Sequence, residues 1–486
     1  MSETRLVGVH LGTSSVRIAV YDPDGTLLSA GEAPIEEQTT IAWERALRSA
    51  TPDLPPSGTC SIASTSGTVL LVDEYGEPVF PPQMYYESAP EQAEQLRESG
   101  NGSDLTNWDV VSSSTGPLAK VLRLRRDHPR RFEDVEWILS PTTWLLYRLR
   151  YGRSRRWQTV ETDWTNAMKF GADITVSMPE WDETLFEACG LSASLFPAIR
   201  PPGSYIGPAE SEVATRIGFG GCNLYQGMTD GSASVLANGC LEPGDFSVTF
   251  GATSVIKYVL DEITPHEALY YHRHPLDGYI LGASFDSGSV LRWYFDHVLD
   301  VAPEHGFELA KSTTPGDEYE VFLQGHRSPL YNPAVGTSLL GVECDAALST
   351  EEVRGRIVRG LMTGIVLAEW TYIYRIQEHF ETTIDRVQLV NDGAPSLRDD
   401  YSWWNELRSQ IWNRSISEMQ PRMTAGLLIP AALITSEYAD SSEAIDCLLR
   451  RRSEIEPDRE QNESYDERRD EYLDRWHQVA ELYDRE

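Results

Sequence analysis

The sequence predicts an α/β protein made of two similar domains that face each other across a cleft. Three observations support this prediction: the length of the chain, a long internal duplication, and a short turn rich in glycine and hydroxyl residues in each copy. The chain has 486 residues, whereas a single hydrophobic core stops growing at roughly 250 to 300 residues. Hydrophobic residues make up 41% of the chain, which is enough for globular packing.

The duplication relates Val7–Asp22 to Phe246–Asp261. The two segments align without gaps, and Gly12 falls on Gly251. In each copy a buried strand leads into a turn and a second strand, and a third strand follows. A single duplication of long period favours two similar domains over a solenoid, which needs at least about three shorter repeats.

The domain boundaries follow from this duplication. We expect a first domain at residues 1–240, a second at 241–440, and a charged helical tail at 441–486. In the tail, a helix is predicted over 442–452, and aromatic residues recur at mostly helical spacing over 463–484. Two interpretations of the tail stay open: a helix packed by one face against the protein, or a contact in a homodimer.

The charge excludes two classes of partner. Asp and Glu total 75 against 41 Lys and Arg, for a formal net charge of −34. Such an excess repels nucleic acid and anionic membranes. The six cysteines form no C-x-x-C pair, and no apolar run of about 18 residues occurs, so we expect a soluble, cytoplasmic protein. Dense carboxylates also suit a salty cytoplasm that screens them, and we put forward a halophilic host as a hypothesis.

The turns of the duplication carry its chemistry. Their tips are Gly12-Thr13-Ser14-Ser15 and Gly251-Ala252-Thr253. Glycine permits close approach, and small hydroxyl side chains add donors, so such a tip can hold a phosphate. One such hairpin alone is more often just a tight turn. Because the hairpin recurs at equivalent positions, the phosphate interpretation is favoured.

Asp230 is the candidate catalytic residue. A strand is predicted over 223–227 and a helix of small residues over 232–237, which places Asp230 at the carboxyl end of a strand, where ligands bind in open α/β sheets. Two interpretations stay open from the residues alone. Asp230 is either a general base or the N-cap of the helix.

Several segments resemble the FGGY carbohydrate kinases of the actin-like ATPase superfamily. Val9–Ser15 and Phe250–Ser254 are similar to the two phosphate hairpins, and Ser64–Asp73 to the strand on the sugar side. Thr162–Gly171 and Gly282-Ala283-Ser284 are similar to segments of the D-ribulokinase-like branch. The resemblance implies two RNase H-like domains, ATP and Mg²⁺ as cofactors, and transfer of phosphate to a terminal sugar hydroxyl. D-Ribulose is the first substrate expected, with D-xylulose and glycerol open.

The resemblance also implies which residues form the site. Asp230 matches the catalytic Asp and would also contact the metal through water. The sugar would be bound by Asp230 with four neighbours, namely Ser66, Gly67, Thr68 and Gly231. The nucleotide would be bound by the two hairpins with Gly393 and Ala394. Trp164 and the Tyr85-Tyr86 pair either stack on the sugar or pack in the core.

Two departures from the family fall on the nucleotide side. His10 stands where the family has an Asp that orients the metal, and imidazole is a poor ligand for magnesium. Two interpretations of His10 stay open: it is protonated beside phosphate and contacts it, or it points into the sheet as a core residue. Asn391 and Asp392 replace glycines against which adenine packs. The rival hypothesis is therefore a sugar-binding protein that has lost productive use of ATP.

Overall fold

A computed structural model of the chain describes residues 5–55, 57–99, 104–264, 269–324, 335–342, 347, 349–391 and 401–483, and leaves out the side chains of 459–464. The described strands are β1 Leu6–Leu11, β2 Ser15–Tyr21, β3 Leu27–Pro34, β4 Thr59–Ser64, β5 Leu70–Val72, β6 Trp137–Leu139, β7 Glu161–Asp163, β8 Ala172–Asp173, β9 Glu180–Trp181, β10 Ala198–Arg200, β11 Tyr205–Pro208, β12 Asn223–Tyr225, β13 Met228–Thr229, β14 Phe246–Phe250, β15 Thr253–Leu260, β16 Tyr270–Arg273, β17 Tyr279–Asp286, β18 Glu320–Phe322, β19 Ser338–Leu340, β20 Arg386–Asn391, β21 Ser415–Met419 and β22 Arg451–Ile455.

The described α-helices are α1 Thr40–Ala50, α2 Pro90–Ser99, α3 Trp108–Val111, α4 Pro117–Asp127, α5 Pro129–Phe132, α6 Pro141–Tyr151, α7 Trp164–Ala167, α8 Glu183–Ala188, α9 Glu212–Ile217, α10 Asp230–Ala237, α11 Gly288–Tyr294, α12 Pro303–Ser312, α13 Glu351–Phe380, α14 Tyr401–Trp412, α15 Met423–Gly426, α16 Ile429–Ile434, α17 Ser441–Leu448 and α18 Arg459–Tyr483. Within these ranges, no helix combines the length and the apolar character needed to span a lipid bilayer.

Two large sheets share one topology. The first runs β11-β12-β4-β1-β2-β3, with β13 added to β4, and the second runs β16-β17-β15-β14-β20-β21-β22. In each, a hairpin of antiparallel strands (β1 with β2, β14 with β15) lies beside a parallel strand, β4 or β20. The predicted α/β fold with two similar domains is thus confirmed, and the duplicated segments are the central hairpins of the two sheets.

The side chains of β1 alternate between two packing environments. Val7, Val9 and Leu11 point to a core that also holds Trp43 of α1 and Trp144 of α6. The other face of the strand turns toward the second sheet. Successive side chains of a strand point to opposite faces, so one face of β1 borders the core and the other borders the cleft.

The C-terminal part of the chain returns to this second face. The backbone of α15 lies so close that a Cβ on Gly8 would be 1.9 Å from the carbonyl oxygen of Thr424, and only glycine permits this approach. Tyr21 Oη and Thr424 Oγ1 are hydrogen-bonded at 2.8 Å. Tyr438 Oη donates to the Pro23 carbonyl at 2.7 Å. These contacts join the two ends of the sequence.

The tail differs from the helix predicted over 442–452. α17 ends at Leu448, and β22 pairs antiparallel with β21 at the edge of the second sheet. An edge strand presents unpaired backbone groups. By pairing with β21, the residues after Leu448 form backbone hydrogen bonds with this edge in place of another helical turn. α18 then packs on the second domain, where Tyr472 is buried and stacks on Phe322 with ring centroids 5.0 Å apart.

Candidate active site

Asp230 is the first residue of α10 and lies directly after β13. The N-cap is Thr229, whose Oγ1 accepts a hydrogen bond from the Ser232 amide at 3.3 Å. Asp230 Oδ1 accepts from the amide of Gly231 at 2.7 Å. Because Thr229 performs the capping, the N-cap interpretation of Asp230 is wrong. Its carboxylate is available for another purpose.

The surroundings of Asp230 set its basicity. Burial raises the pKa of the carboxyl, while the amides of Gly231 and Ser66 and the charges of Lys169 and Lys257 act in the opposite direction. A carboxylate whose pKa is raised by desolvation is a stronger base than an exposed one. The same positive groups keep the ionised form accessible. This balance is suited to proton abstraction from a hydroxyl group.

Of the predicted sugar-side residues, three follow β4 and the fourth is Gly231. They differ in how they relate to Asp230. The Ser66 amide points at the Asp230 carboxylate. Gly67 has φ +86°, and a Cβ there would lie 3.7 Å from Lys169 Nζ. A Cβ added to Gly231, by contrast, would meet no atom within 4 Å. Thr68 is fully buried, and its hydroxyl bonds to Thr65 Oγ1 and to the Tyr85 amide, so it braces the loop.

Two basic residues at this site were missed by sequence reasoning. Lys169, after α7, and Lys257, on β15, both lie close enough to Asp230 to lower its pKa. Lys257 shares its part of the sheet with Tyr270 and His272 of β16, since Tyr270 and Lys257 both pair with Gly282. The rarity of lysine was the available signal, because only four of the 41 basic residues are lysines.

The aromatic candidates fall into two groups. Trp164 is buried, and its Nε1 donates to the carbonyl of His274 at 3.1 Å, so it packs between the domains. Tyr85 and Tyr86 are exposed, with their rings edge to face at 5.2 Å. Tyr85 also borders Gly67, since a Cβ on that glycine would lie 3.9 Å from Tyr85 Cβ.

Each hairpin tip is closed by a backbone hydrogen bond from the amide of its glycine. The Gly12 amide donates to the Ser15 carbonyl at 3.0 Å, and the Gly251 amide donates to the Thr253 carbonyl at 3.1 Å. Thr13 and Ser14 form the first tip, where Ser14 is exposed, and Ala252 lies exposed at the second. The helix α11 begins against this second tip. Both turns therefore keep small residues at their outer ends, as a phosphate site requires.

The serines that follow the tips serve the protein itself. Ser15 Oγ donates to Glu32 Oε1 at 2.8 Å. Its counterpart Ser254 is buried and donates to Glu369 Oε1 at 2.9 Å. Glu369 is in turn paired with the buried Arg408 at 3.0 Å. These hydroxyls therefore anchor the hairpins to their domains.

A cavity of about 600 Å³ lies between the domains on the inner face of β1. Its lining includes His10 and Thr249, which occupy equivalent positions of the duplication, with Asn238 bonded to Thr249 Oγ1 at 2.9 Å. Burial and the charge of Arg17 lower the pKa of His10 to about 4. These surroundings by themselves favour the neutral imidazole, and the expected protonation beside a bound phosphate stays a prediction.

The fit for Mg-ATP is uneven. The hairpin tips suit phosphate, whereas a neutral His10 does not supply the oxygen that magnesium prefers. Within the described ranges, no group of three or more His, Cys, Asp or Glu side chains is placed to hold a metal. Magnesium bound with nucleotide keeps several waters and takes ligands from phosphate. The carboxylate of Asp230 fits a contact through such a water.

Asn391 stands where the family has a glycine, and the contacts of its side chain explain how it is accommodated. Its side chain is buried and bonds with Asn405 at 3.3 Å, Glu418 at 3.4 Å and Arg408 at 3.3 Å. It therefore points into the second domain. Asp392, Gly393 and Ala394 lie outside the described residues.

Comparison with known proteins gives the same assignment. Residues 57–237 match the profile described as "FGGY family of carbohydrate kinases, N-terminal domain". A gluconokinase of Bacillus licheniformis is 20% identical over 85% of this chain and 83% of its own length. The ligand-bound xylulose kinase of Lactobacillus acidophilus superposes with a TM-score of 0.82 at 16% identity, over 99% of both chains.

A glycerol kinase of Plasmodium falciparum, solved with ADP, superposes with a TM-score of 0.82 at 16% identity, over 100% of this chain and 99% of its own. At this identity the superpositions establish the fold, which is that of the actin-like ATPases. Residues 57–237 are thus an N-terminal domain of the FGGY carbohydrate kinase type, and the fold of the chain agrees with that of FGGY kinases of known structure.

Proposed function

We propose that this protein transfers the γ-phosphate of ATP to a terminal hydroxyl of a small sugar, with Asp230 as general base. The observation that carries the proposal is the carboxylate of Asp230, which Thr229 relieves of capping and which lies close to Lys169 and Lys257. Phosphoryl transfer asks a protein mainly for positioning and charge stabilisation. One base beside two hairpins fulfils these requirements.

The proposed step balances as follows. The sugar hydroxyl gives its proton to Asp230 while its oxygen bonds to the γ-phosphorus, and the bond to the β,γ-bridging oxygen breaks to release ADP. The tips at Thr13-Ser14 and Ala252-Thr253 would hold the phosphates, one from each domain. Magnesium, when bound with ATP, would neutralise phosphate charge. The role of this chain is to hold the hydroxyl against Asp230 and to exclude water.

The first substrates to test are the ketopentoses D-ribulose and D-xylulose, with glycerol as a further candidate. The similarity of Thr162–Gly171 to the ribulokinase-like branch favours them, and one relative in fold is a xylulose kinase. Use of ATP suits a cytoplasmic enzyme. A second candidate function, a sugar-binding protein without turnover, is favoured by His10 alone, because a neutral imidazole replaces the metal-orienting carboxylate.

A coupled ADP-release screen over ketoses, aldoses and polyols tests the proposal. Because of the net charge of −34, the screen is run with and without molar potassium chloride. Thermal unfolding with each sugar and with Mg-ATP separates the two candidates, since a ligand at a hundred times its Kd stabilises by about 2.7 kcal/mol. Turnover of any sugar supports the kinase. A thermal shift with sugar and none with Mg-ATP supports the binding protein.

A further inference from the structure

Three of the four lysines in this chain surround the proposed sugar site. Lys120, Lys169 and Lys257 come from separate elements, and only Lys311 lies elsewhere, exposed on α12. Arginine supplies nearly all the other positive charge. An ammonium group is compact and presents three donors, whereas guanidinium is a wide planar fork. The proposed site thus has compact cations in a chain that otherwise uses arginine.

The three lysines do not share one role. Lys120 Nζ donates to the carbonyls of Gly67 at 2.9 Å and Met84 at 2.8 Å. It holds the sugar-side loop in place and is satisfied by the protein. Lys169 and Lys257 have no hydrogen bond or ion pair to any side chain that the structure describes. Their ammonium groups are free to bind a ligand.

The sheet of the second domain places Lys257 beside further donors. A Cβ on Gly282 would lie 3.0 Å from Lys257 Nζ and 3.5 Å from His272 Nε2. The rings of Tyr270 and His272 touch, with centroids 4.4 Å apart. Tyr270 Oη and His272 Nε2 are both buried and lack a hydrogen-bond partner. Unpaired buried donors are costly and point to a ligand.

The local charge gives the sign of that ligand. Lys169 and Lys257 are opposed by the single carboxylate of Asp230, and burial lowers the pKa of both lysines. His272 is kept neutral by burial and by the two lysine charges. The group is positive inside a protein of net charge −34. A buried excess of positive charge is relieved by a bound anion.

We infer that the sugar phosphorylated here carries a carboxylate, as in an aldonate, and that Lys169 and Lys257 bind this carboxylate with Tyr270 and His272 as further donors. The inference rests on the proposed kinase function and assigns the substrate class of that site. It makes neutral ketopentoses the poorer substrates. The carboxylate end would lie at the second-domain sheet, and the hydroxyl end at Asp230.

The transferred phosphate does not explain the two lysines as well. Lys257 lies four residues along β15 from Thr253 at the hairpin tip. At about 3.3 Å per residue, this separates the two Cα atoms by roughly 13 Å. Lys169 stands beside Gly67 on the sugar-side loop. Both lysines are thus placed toward the sugar rather than toward the phosphate turns.

Matched pairs of ligands test the inference. D-Ribonate, D-xylonate and D-gluconate are compared with ribitol, xylitol and D-glucitol, which have a hydroxymethyl group in place of the carboxylate. Binding to the full chain is followed by thermal shift, and turnover by ADP release. We expect at least one aldonate to exceed its alditol, D-ribulose and D-xylulose about tenfold or more in kcat/KM, as expected for hydrogen bonds to a charged group.

Variants identify the residues responsible. Lys169→Met and Lys257→Met remove the charge but keep the length, and each should lower kcat/KM for the aldonate about tenfold to a hundredfold. KM for ATP should hold, and activity on alditols, which shares the effect of these lysines on Asp230, should fall less than activity on the aldonate. Lys311→Met is the matched control, since it removes an exposed lysine. Unfolding without ligand shows whether each variant is folded.

The outcomes separate the subsite from the kinase. Aldonate binding without ADP release would support the subsite and overturn the proposed function. Turnover of a neutral sugar in preference to every aldonate would overturn the subsite and leave the kinase standing. A raised KM for ATP in Lys257→Met, with unchanged KM for the sugar, would also overturn it, because the lysine would then serve the phosphate.

Discussion

Replacing Asp230 by asparagine removes the proposed base and little else. Asparagine Oδ1 can still accept the Gly231 amide that now bonds at 2.7 Å, and Thr229 still caps α10. The fold should therefore change in stability by no more than about 1 kcal/mol. Turnover should fall about two to four orders of magnitude, which corresponds to roughly 3 to 5 kcal/mol of transition-state stabilisation.

The neighbouring residue is the control for this variant. Thr229→Ala removes the cap and should cost about 0.5 to 2 kcal/mol of stability, while the carboxylate remains. Turnover by ADP release, sugar binding by calorimetry and thermal unfolding are measured for both variants. Asp230→Asn should bind sugar and fail to turn it over. If Asp230→Asn keeps turnover within tenfold of wild type, or loses stability as Thr229→Ala does, the base assignment is wrong.

Three further predictions follow from other parts of the molecule. Since burial and Arg17 lower the pKa of His10 to about 4, the wild-type rate should not titrate through it between pH 6 and 8, and a rate that falls with rising pH in this range would instead support protonation beside phosphate. His10→Asp should steepen the dependence of the rate on magnesium, and an unchanged magnesium response would show that His10 only packs. Arg408→Leu should destabilise the protein by about 3 to 5 kcal/mol, because it leaves buried Glu369 unpaired. The double variant with Glu369→Leu should recover part of that loss, and unfolding curves that add without recovery would contradict this account. Finally, raising potassium chloride toward 1 M shortens the screening length to about 3 Å, so the unfolding temperature should rise. A protein of net charge −34 that is most stable without salt would refute the salt-adaptation hypothesis.

The fold could be predicted from the sequence because its main elements are indicated by short runs of adjacent residues. The duplicated hairpins, the strand before Asp230 and the small-residue helix after it can each be read from a few adjacent residues. Glycine and hydroxyl residues at equivalent turns marked both hairpin tips, and phosphate binding at these tips stays a prediction. The domain boundaries at 240 and 440 stay predictions, and the packing of α15 on the first sheet shows that the chain crosses between domains more than once.

The features that were missed depend on distant parts of the chain. Lys257 meets Asp230 because two domains close around one cleft, and Lys169 meets it where the residues after α7 pack beside β13. No spacing rule brings these residues together. The ionisation of His10 depends on burial, which single-sequence reasoning places poorly. The strand β22 forms because an edge of the second sheet is available to it. From its charged residues, the sequence predicted a helix through 452 in place of this strand.

The packing of the chain's end on its beginning bears on how the protein is made. Leu6, Ala19 and Tyr21 share a core with Leu428 and Leu448. A ribosome delivers the first sheet long before these partners emerge. Until nearly the whole chain has been synthesised, one apolar face of that sheet is uncovered, and exposed faces of this kind promote aggregation. Production of the protein should therefore be limited by protection of the nascent chain, and a first domain expressed alone would keep the exposed face.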